Sequence, residues 1–207
     1  MNPRFFSVPS KQLATDAWLA RGDGSRGPRL AIVGLGMMGR EHLRVALLLG
    51  RVRIQGVYDE HPPSLEHAQR EYQALTQKPL AAYTSLDALC SDDNVDAYLI
   101  ATPNFTHSAI FERLMKTDKP IFLEKPMATS LTDAQRMVTM AKACPTFVQL
   151  GMQYRFKAQY VEAFHAIRVQ KALGTVRTVA MAEYRPPFLN KVGEWNKFNQ
   201  YSGGTLV

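Results

Sequence analysis

Cysteine is scarce in this chain. Cys90 and Cys144 are the only two among 207 residues, they lie far apart, and no CxxC pair occurs. That excludes a disulfide scaffold and a thiolate metal site, and fits buried thiols in a reducing compartment. Long hydrophobic runs are missing as well. The stretch "VALLLG" at 45–50 is among the richest, far short of the roughly 18 residues that a membrane-spanning helix needs. Basic residues outnumber acidic ones 25 to 18, a formal charge of +7. The basic residues are nevertheless scattered, without a run of five and without aromatic–basic interleaving. A dedicated nucleic-acid surface is therefore not expected, and the excess serves an anionic cofactor or substrate equally well. Internal repeats and low-complexity tracts are also absent. These absences point to a cytoplasmic globular chain with neither a nucleic-acid nor a membrane partner.

What is present is alternation. Residues 1–28 read as a partly ordered lead with a Gly/Ser/Pro-rich end and no apolar secretory core, although organelle targeting is an alternative for it. From Leu30 onward, short apolar runs at 30–34, 53–58, 81–85, 97–102, 120–124 and 147–151 alternate with helical patterns near 38–49, 64–76, 105–117 and 130–143. Buried strands separated by amphipathic helices predict a doubly wound, Rossmann-type parallel sheet over 29–150, covered by helices on both faces.

Ligands of such sheets bind outside the carboxyl ends of the strands, so the residues there carry the argument. After the first strand comes "GLGMMG", with Gly34, Gly36 and Gly39 in GxGxxG spacing and Leu35, Met37 and Met38 between them. The first glycine permits a tight turn and the second leaves room for a pyrophosphate. The third lets the following helix pack close, and that helix offers free N–H groups to phosphate. After the second strand comes Asp59, 20 positions beyond Gly39. A carboxylate there accepts ribose hydroxyls and repels a 2′-phosphate, which favours NAD over NADP; the alternative is a turn-forming Asp. "ATPNFTH" (101–107) follows the fourth strand, with Asn104 as a helix N-cap and His107 in the first helical turn. There His107 either satisfies local hydrogen bonds or transfers protons. "EKPMA" (124–128) follows the fifth and puts Lys125 at the sheet mouth. Lys125 is either a solvated loop cation or the group that binds a substrate hydroxyl and relays its proton.

In that order, "AIVGLGMMGREH", "ATPNFTH" and "EKPMA" resemble the glucose–fructose oxidoreductase/inositol dehydrogenase/rhizopine-catabolism family of NAD(P)-dependent oxidoreductases. The resemblance covers about 29–207. It implies a dinucleotide-binding domain (29–150) and a second α/β domain with an open, mainly antiparallel sheet, of which 151–207 would be the beginning. It also implies that residues 34–39 hold the pyrophosphate, Asp59 the adenosine ribose, and Thr102, Pro103 and Asn104 the nicotinamide half, with His107 behind them. Glu124 and Lys125 would bracket the nicotinamide ribose and substrate, with Lys125 catalytic. Gln153 would touch the cofactor amide. Arg155 and Trp195 would face the substrate, unless Arg155 forms an interdomain salt bridge and Trp195 a core or dimer contact. After a helix and a stop at Gly174, a long strand is expected.

In the family a Gly-Gly turn leads into a helix with an acid and then a histidine beside the substrate. The chain ends on "YSGGTLV" before either, so it reads as an N-terminal portion whose full-length form would be a homo-oligomer. The function implied is hydride transfer between a sugar or polyol hydroxyl and NAD(P), with a non-catalytic dinucleotide sensor as the alternative.

Overall fold

The computed structural model describes residues 26–184 and 191–204. Most of the N-terminal lead, the stretch 185–190 and the last three residues lie outside the described residues. Two compact units result. Residues 26–151 and 191–204 form one, and 152–184 belong to the other. The return of 191–204 to the first unit divides the expected second domain.

The first unit is a five-stranded parallel sheet in the order β2-β1-β3-β4-β5, formed by β1 (Arg29–Val33), β2 (Arg53–Tyr58), β3 (Ala97–Ile100), β4 (Ile121–Leu123) and β5 (Val148–Leu150). Its helices are α1 (Met37–Leu49), α2 (Pro62–Thr76), the short α3 (Leu86–Cys90), α4 (His107–Met115) and α5 (Leu131–Ala143). Strand alternation divides the core in two. Ala31 and Val33 of β1, with Tyr98 and Ile100 of β3, join Phe111, Leu114 and Met137 on one face. Ile32 and Leu99 point the other way, into Leu43 of α1 and Ala68 of α2. Both faces being buried explains why the strands read as unbroken apolar runs.

The strand expected at 81–85 is reduced to a single bridge between Val57 and Ala82. Val57 N–H donates to Ala81 O at 3.0 Å and Tyr83 N–H to Val57 O at 2.8 Å. The chain then leaves the sheet edge because Ser85 caps α3, accepting from Ala88 N–H at 3.0 Å. Tyr83 fills the space beside Gly56, where a Cβ would lie 2.7 Å from its ring. Its hydroxyl donates to Asp92 at 2.6 Å. Ser130 caps α5, accepting from Asp133 N–H at 3.1 Å.

The second unit contains a 3-10 turn (Gln153–Phe156) and helix α6 (Ala158–Arg168), with Tyr154 stacked on Tyr160 and Lys157 over the Tyr154 ring. The helix ends at Arg168 with Val169 as its C-cap, before the stop expected at Gly174, whose φ of +61 belongs to a later turn. The long strand expected beyond it does not form. Among the described residues 175–184 no ladder pairs with it, and a strand without a ladder is not a sheet element. Its apolar side chains stay open to solvent, Tyr184 at 95% exposure.

Candidate dinucleotide and active site

The sheet order reverses between β1 and β3, and the two strand ends there open a crevice. Gly34, with φ +92, leaves β1 in a conformation that side chains rarely adopt. A Cβ on Gly34 would also meet the Ala101–Thr102 backbone at 2.7 Å. One on Gly39 would lie 1.9 Å from the Gly34 carbonyl oxygen. Gly36 differs, since nothing lies within 4 Å of where its Cβ would be. The space beside it is therefore free for a ligand. Gly36 is also the N-cap of α1, without a side-chain cap and with no acid in the first turn. The first N–H groups of that helix accordingly keep their capacity for an anion.

Asp59 stands beside this loop and accepts from Leu35 N–H at 2.5 Å and from His61 N–H at 2.8 Å. These bonds show Asp59 in its turn-forming part. It shapes its own turn, and the same bonds orient a carboxylate toward the glycine loop. His61 is occupied with the Ser64 hydroxyl, 2.9 Å from its Nδ1.

At the end of β3, Thr102 and Pro103 lead into a 3-10 turn (Asn104–Thr106). Asn104 does not cap the helix. Its Nδ2 donates instead to the carbonyl of Ser202 at 2.8 Å, which draws the side chain away from the helix N–H groups. The segment it holds consists of a kinked turn (Val192–Lys197) and helix α7 (Asn199–Ser202). Phe105 against Tyr201, with ring centroids 5.0 Å apart, reinforces the contact. Trp195 lies half-buried in this segment.

His107 is only 1% exposed. Its Nδ1 lies 2.8 Å from the Pro126 carbonyl and its Nε2 3.0 Å from the Thr102 carbonyl. Burial lowers its pKa, against the opposing pull of those two carbonyls. The ring ties the loop after β3 to the loop after β4 and turns no nitrogen to the crevice; of the two readings of His107, the structure favours local hydrogen bonding.

Glu124 is 8% exposed. Its Oε1 lies 2.7 Å from Nε2 of His42, and its Oε2 accepts from Lys125 N–H at 3.0 Å. Burial alone would push this carboxyl up. The hydrogen bond and charge of His42, with the N–H and charge of Lys125, outweigh it and hold the carboxyl below its ordinary value. Gly151 leaves the room, because a Cβ there would sit 3.2 Å from Oε1. His42 was not singled out from the sequence. The available signal was its place one turn into α1 after the glycine loop. Lys125 itself is exposed, at the end of β4, and is joined to Pro126 by a cis peptide. Gln153 and Arg155 belong to the other unit, on its 3-10 turn.

The described residues contain no group of three or more His, Cys, Asp or Glu able to hold a metal, and no helix long and apolar enough to cross a membrane. A glycine loop opening an uncapped helix, an acid after the second strand and a lysine after the fourth define a nicotinamide-dinucleotide-binding Rossmann domain. Residues 28–152 match GFO_IDH_MocA, described as "Oxidoreductase family, NAD-binding Rossmann fold", and the chain belongs to that family. Among its relatives, 2,7-anhydro-N-acetylneuraminate hydratase of Escherichia coli is 30% identical over 181 residues, 84% of this chain and 45% of that protein. Inositol 2-dehydrogenase of Rhodococcus erythropolis is 32% identical over 142 residues, 67% of this chain and 39% of that one. The crystal structure of myo-inositol dehydrogenase from Lactobacillus casei with NAD(H) and myo-inositol superimposes with a TM-score of 0.62 at 26% identity, covering 72% of this chain and 42% of that one. The chain thus spans less than half the length of these relatives.

Proposed function

We propose that the chain supplies the cofactor-binding half of an NAD-dependent oxidoreductase acting on a hydroxyl of a small polyol or sugar-like substrate. The observation that carries this reading is the convergence, at one end of one sheet, of the open Gly36 cradle, the oriented Asp59 carboxylate and Lys125. NAD, when bound, supplies a hydride acceptor at the nicotinamide ring. The residues fit it. The α1 N–H groups would hold the pyrophosphate, Asp59 the adenosine ribose hydroxyls, and Thr102, Pro103 and Asn104 the nicotinamide half. Asp59 would disfavour a 2′-phosphate by charge.

Lys125 would bind the substrate hydroxyl and, in its amine form, take the hydroxyl proton. As the carbinol C–H pair departs as hydride, the oxygen keeps the O–H electrons and a carbonyl forms. Glu124 would not touch the substrate. Its carboxylate, braced by His42, would hold the turn on which Lys125 stands. Gln153 as a contact to the cofactor amide, Arg155 and Trp195 as substrate contacts, and self-association of a longer form remain part of the proposal. Support for the substrate class comes from relatives named inositol 2-dehydrogenase. The relative named a hydratase sets a useful contrast, since a hydratase need not accumulate reduced nicotinamide.

The test is NADH binding by the chain, followed by polyol-dependent reduction of NAD in wild type and Lys125→Met. Binding with normal affinity in both, and reduction only in wild type, is the expected result. Equal turnover in the two would refute the role of Lys125. Binding without turnover of any polyol would favour the sensor reading.

A further inference from the structure

The glycine loop runs into α1 through three consecutive peptide units, and each is held by a different hydrogen bond. In the first, Leu35 N–H donates to Asp59 at 2.5 Å. In the second, the Leu35 carbonyl accepts from Nη1 of Arg40 at 3.1 Å. In the third, the Gly36 carbonyl accepts from the main-chain N–H of Arg40 at 3.1 Å. A peptide unit is planar and trans, so fixing its carbonyl also fixes the direction of the N–H it carries. The second unit carries Gly36 N–H, beside the space where a Cβ would meet nothing within 4 Å. Glycine restrains its own φ less than any other residue, and the Arg40 side chain steadies that unit from outside.

A cation is disfavoured where Arg40 stands. It lies in the first turn of α1, where the helix dipole favours acids, and that turn contains none. Its charge is met instead from α2, by Glu71 Oε1 at 3.6 Å, and His67 Nε2 lies 3.2 Å from the same oxygen. At 3.6 Å the Arg40–Glu71 pair attracts by charge without a hydrogen bond. Nε of Arg40 and Oε2 of Glu71 are buried and have no hydrogen-bond partner. Unsatisfied buried atoms destabilise, so the arrangement favours the bond to the loop over the best pairing between the two helices.

We propose that Arg40 is a positioning residue for cofactor binding: anchored by Glu71, it fixes the Leu35–Gly36 peptide so that Gly36 N–H meets the pyrophosphate. This rests on the dinucleotide reading of the crevice and deepens it. The contrary case is an Arg40 that acts on the pyrophosphate by charge alone. The two differ in sign at Glu71. A positioning Arg40 loses its anchor in Glu71→Gln, and NADH then binds more weakly. A charge acting through space gains when the acid that neutralises it is removed, and NADH then binds more tightly.

The experiment titrates the whole chain with NADH, read from nicotinamide fluorescence, in wild type, Arg40→Met and Glu71→Gln. Heteronuclear NMR follows the Gly36 amide resonance of each free protein. Arg40→Met is expected to weaken binding about tenfold and Glu71→Gln about threefold, with the Gly36 resonance displaced in both. A merely structural role would lower Tm but leave the resonance and the affinity of the folded protein unmoved, and that result would overturn the proposal. Tighter NADH binding by Glu71→Gln would overturn it too, because Arg40 would then act by charge. Should Arg40→Met fail to fold, Glu71→Gln decides alone. Each of these outcomes leaves the oxidoreductase reading standing. Failure of wild type to bind NADH would remove that reading and the positioning role with it.

Discussion

Replacing His42 by Ala tests whether the Glu124 carboxylate is held as a charged strut beneath Lys125. The substitution deletes the donor 2.7 Å from Oε1 and leaves the Lys125 N–H as the remaining hydrogen bond to the carboxylate. It also removes a ring packed edge-on against Phe122, with centroids 5.2 Å apart. A hydrogen bond to a charged group contributes about 1.5–3 kcal/mol. The two side chains are 22% and 11% exposed, so water replaces part of the loss and about 2 kcal/mol is the expected cost at neutral pH. For a chain of this size that is a fall of about 4–8 °C in Tm. The sign with pH follows from the direction of the Glu124 shift. Its folded pKa lies below the unfolded value. Its contribution is therefore complete above the unfolded carboxyl pKa, about 4.3, and is lost as pH falls through the folded value. The gap between wild type and His42→Ala should be widest near neutrality and should close in acid. His42→Gln, which restores an N–H donor, should recover more than half of it. Thermal or urea denaturation across pH measures all three proteins. A gap that does not narrow in acid, or a Gln variant no better than Ala, would refute the strut.

Four further outcomes follow from the same geometry. Gly39→Ala, whose Cβ would lie 1.9 Å from the Gly34 carbonyl, should cost about 1–3 kcal/mol in urea denaturation. Gly36→Ala meets nothing within 4 Å and should leave stability within about 0.5 kcal/mol of wild type, yet weaken NADH binding about tenfold by titration, since it fills the open cradle. Asp59→Ser should narrow or reverse the preference for NADH over NADPH in competition binding, because it removes the carboxylate that repels a 2′-phosphate. Tyr83→Phe, which deletes the hydroxyl donor to Asp92, should cost about 1 kcal/mol while cofactor affinity stays constant.

The strands and helices of the first unit were legible because burial on both sides leaves uninterrupted apolar runs, and glycines, serines and prolines punctuate them. β2 is found at the expected 53–58. What misled was local chemistry that depends on a distant partner. The residues 81–85 look like a strand, but Ser85 is spent on capping α3. Asn104 looks like a cap, but a carbonyl 98 residues away takes its amide. Nothing local to Glu124 announces a partner, and only the fold shows that α1 delivers His42 to it. The glycine loop needed no such partner, because its backbone geometry is written in its own six residues.

The segment 191–204 also has a consequence for the order in which the protein is made. The sheet, the glycine loop, Asp59 and Lys125 all precede Gly151 in the chain, whereas Ser202, which meets Asn104, comes much later. Ribosomes add roughly 5–20 residues each second, so the sheet has several seconds to form before the segment that meets Asn104 arrives. The residues of the glycine loop and the strand ends are thus in place in the nascent chain before the segment that holds Asn104 has been made.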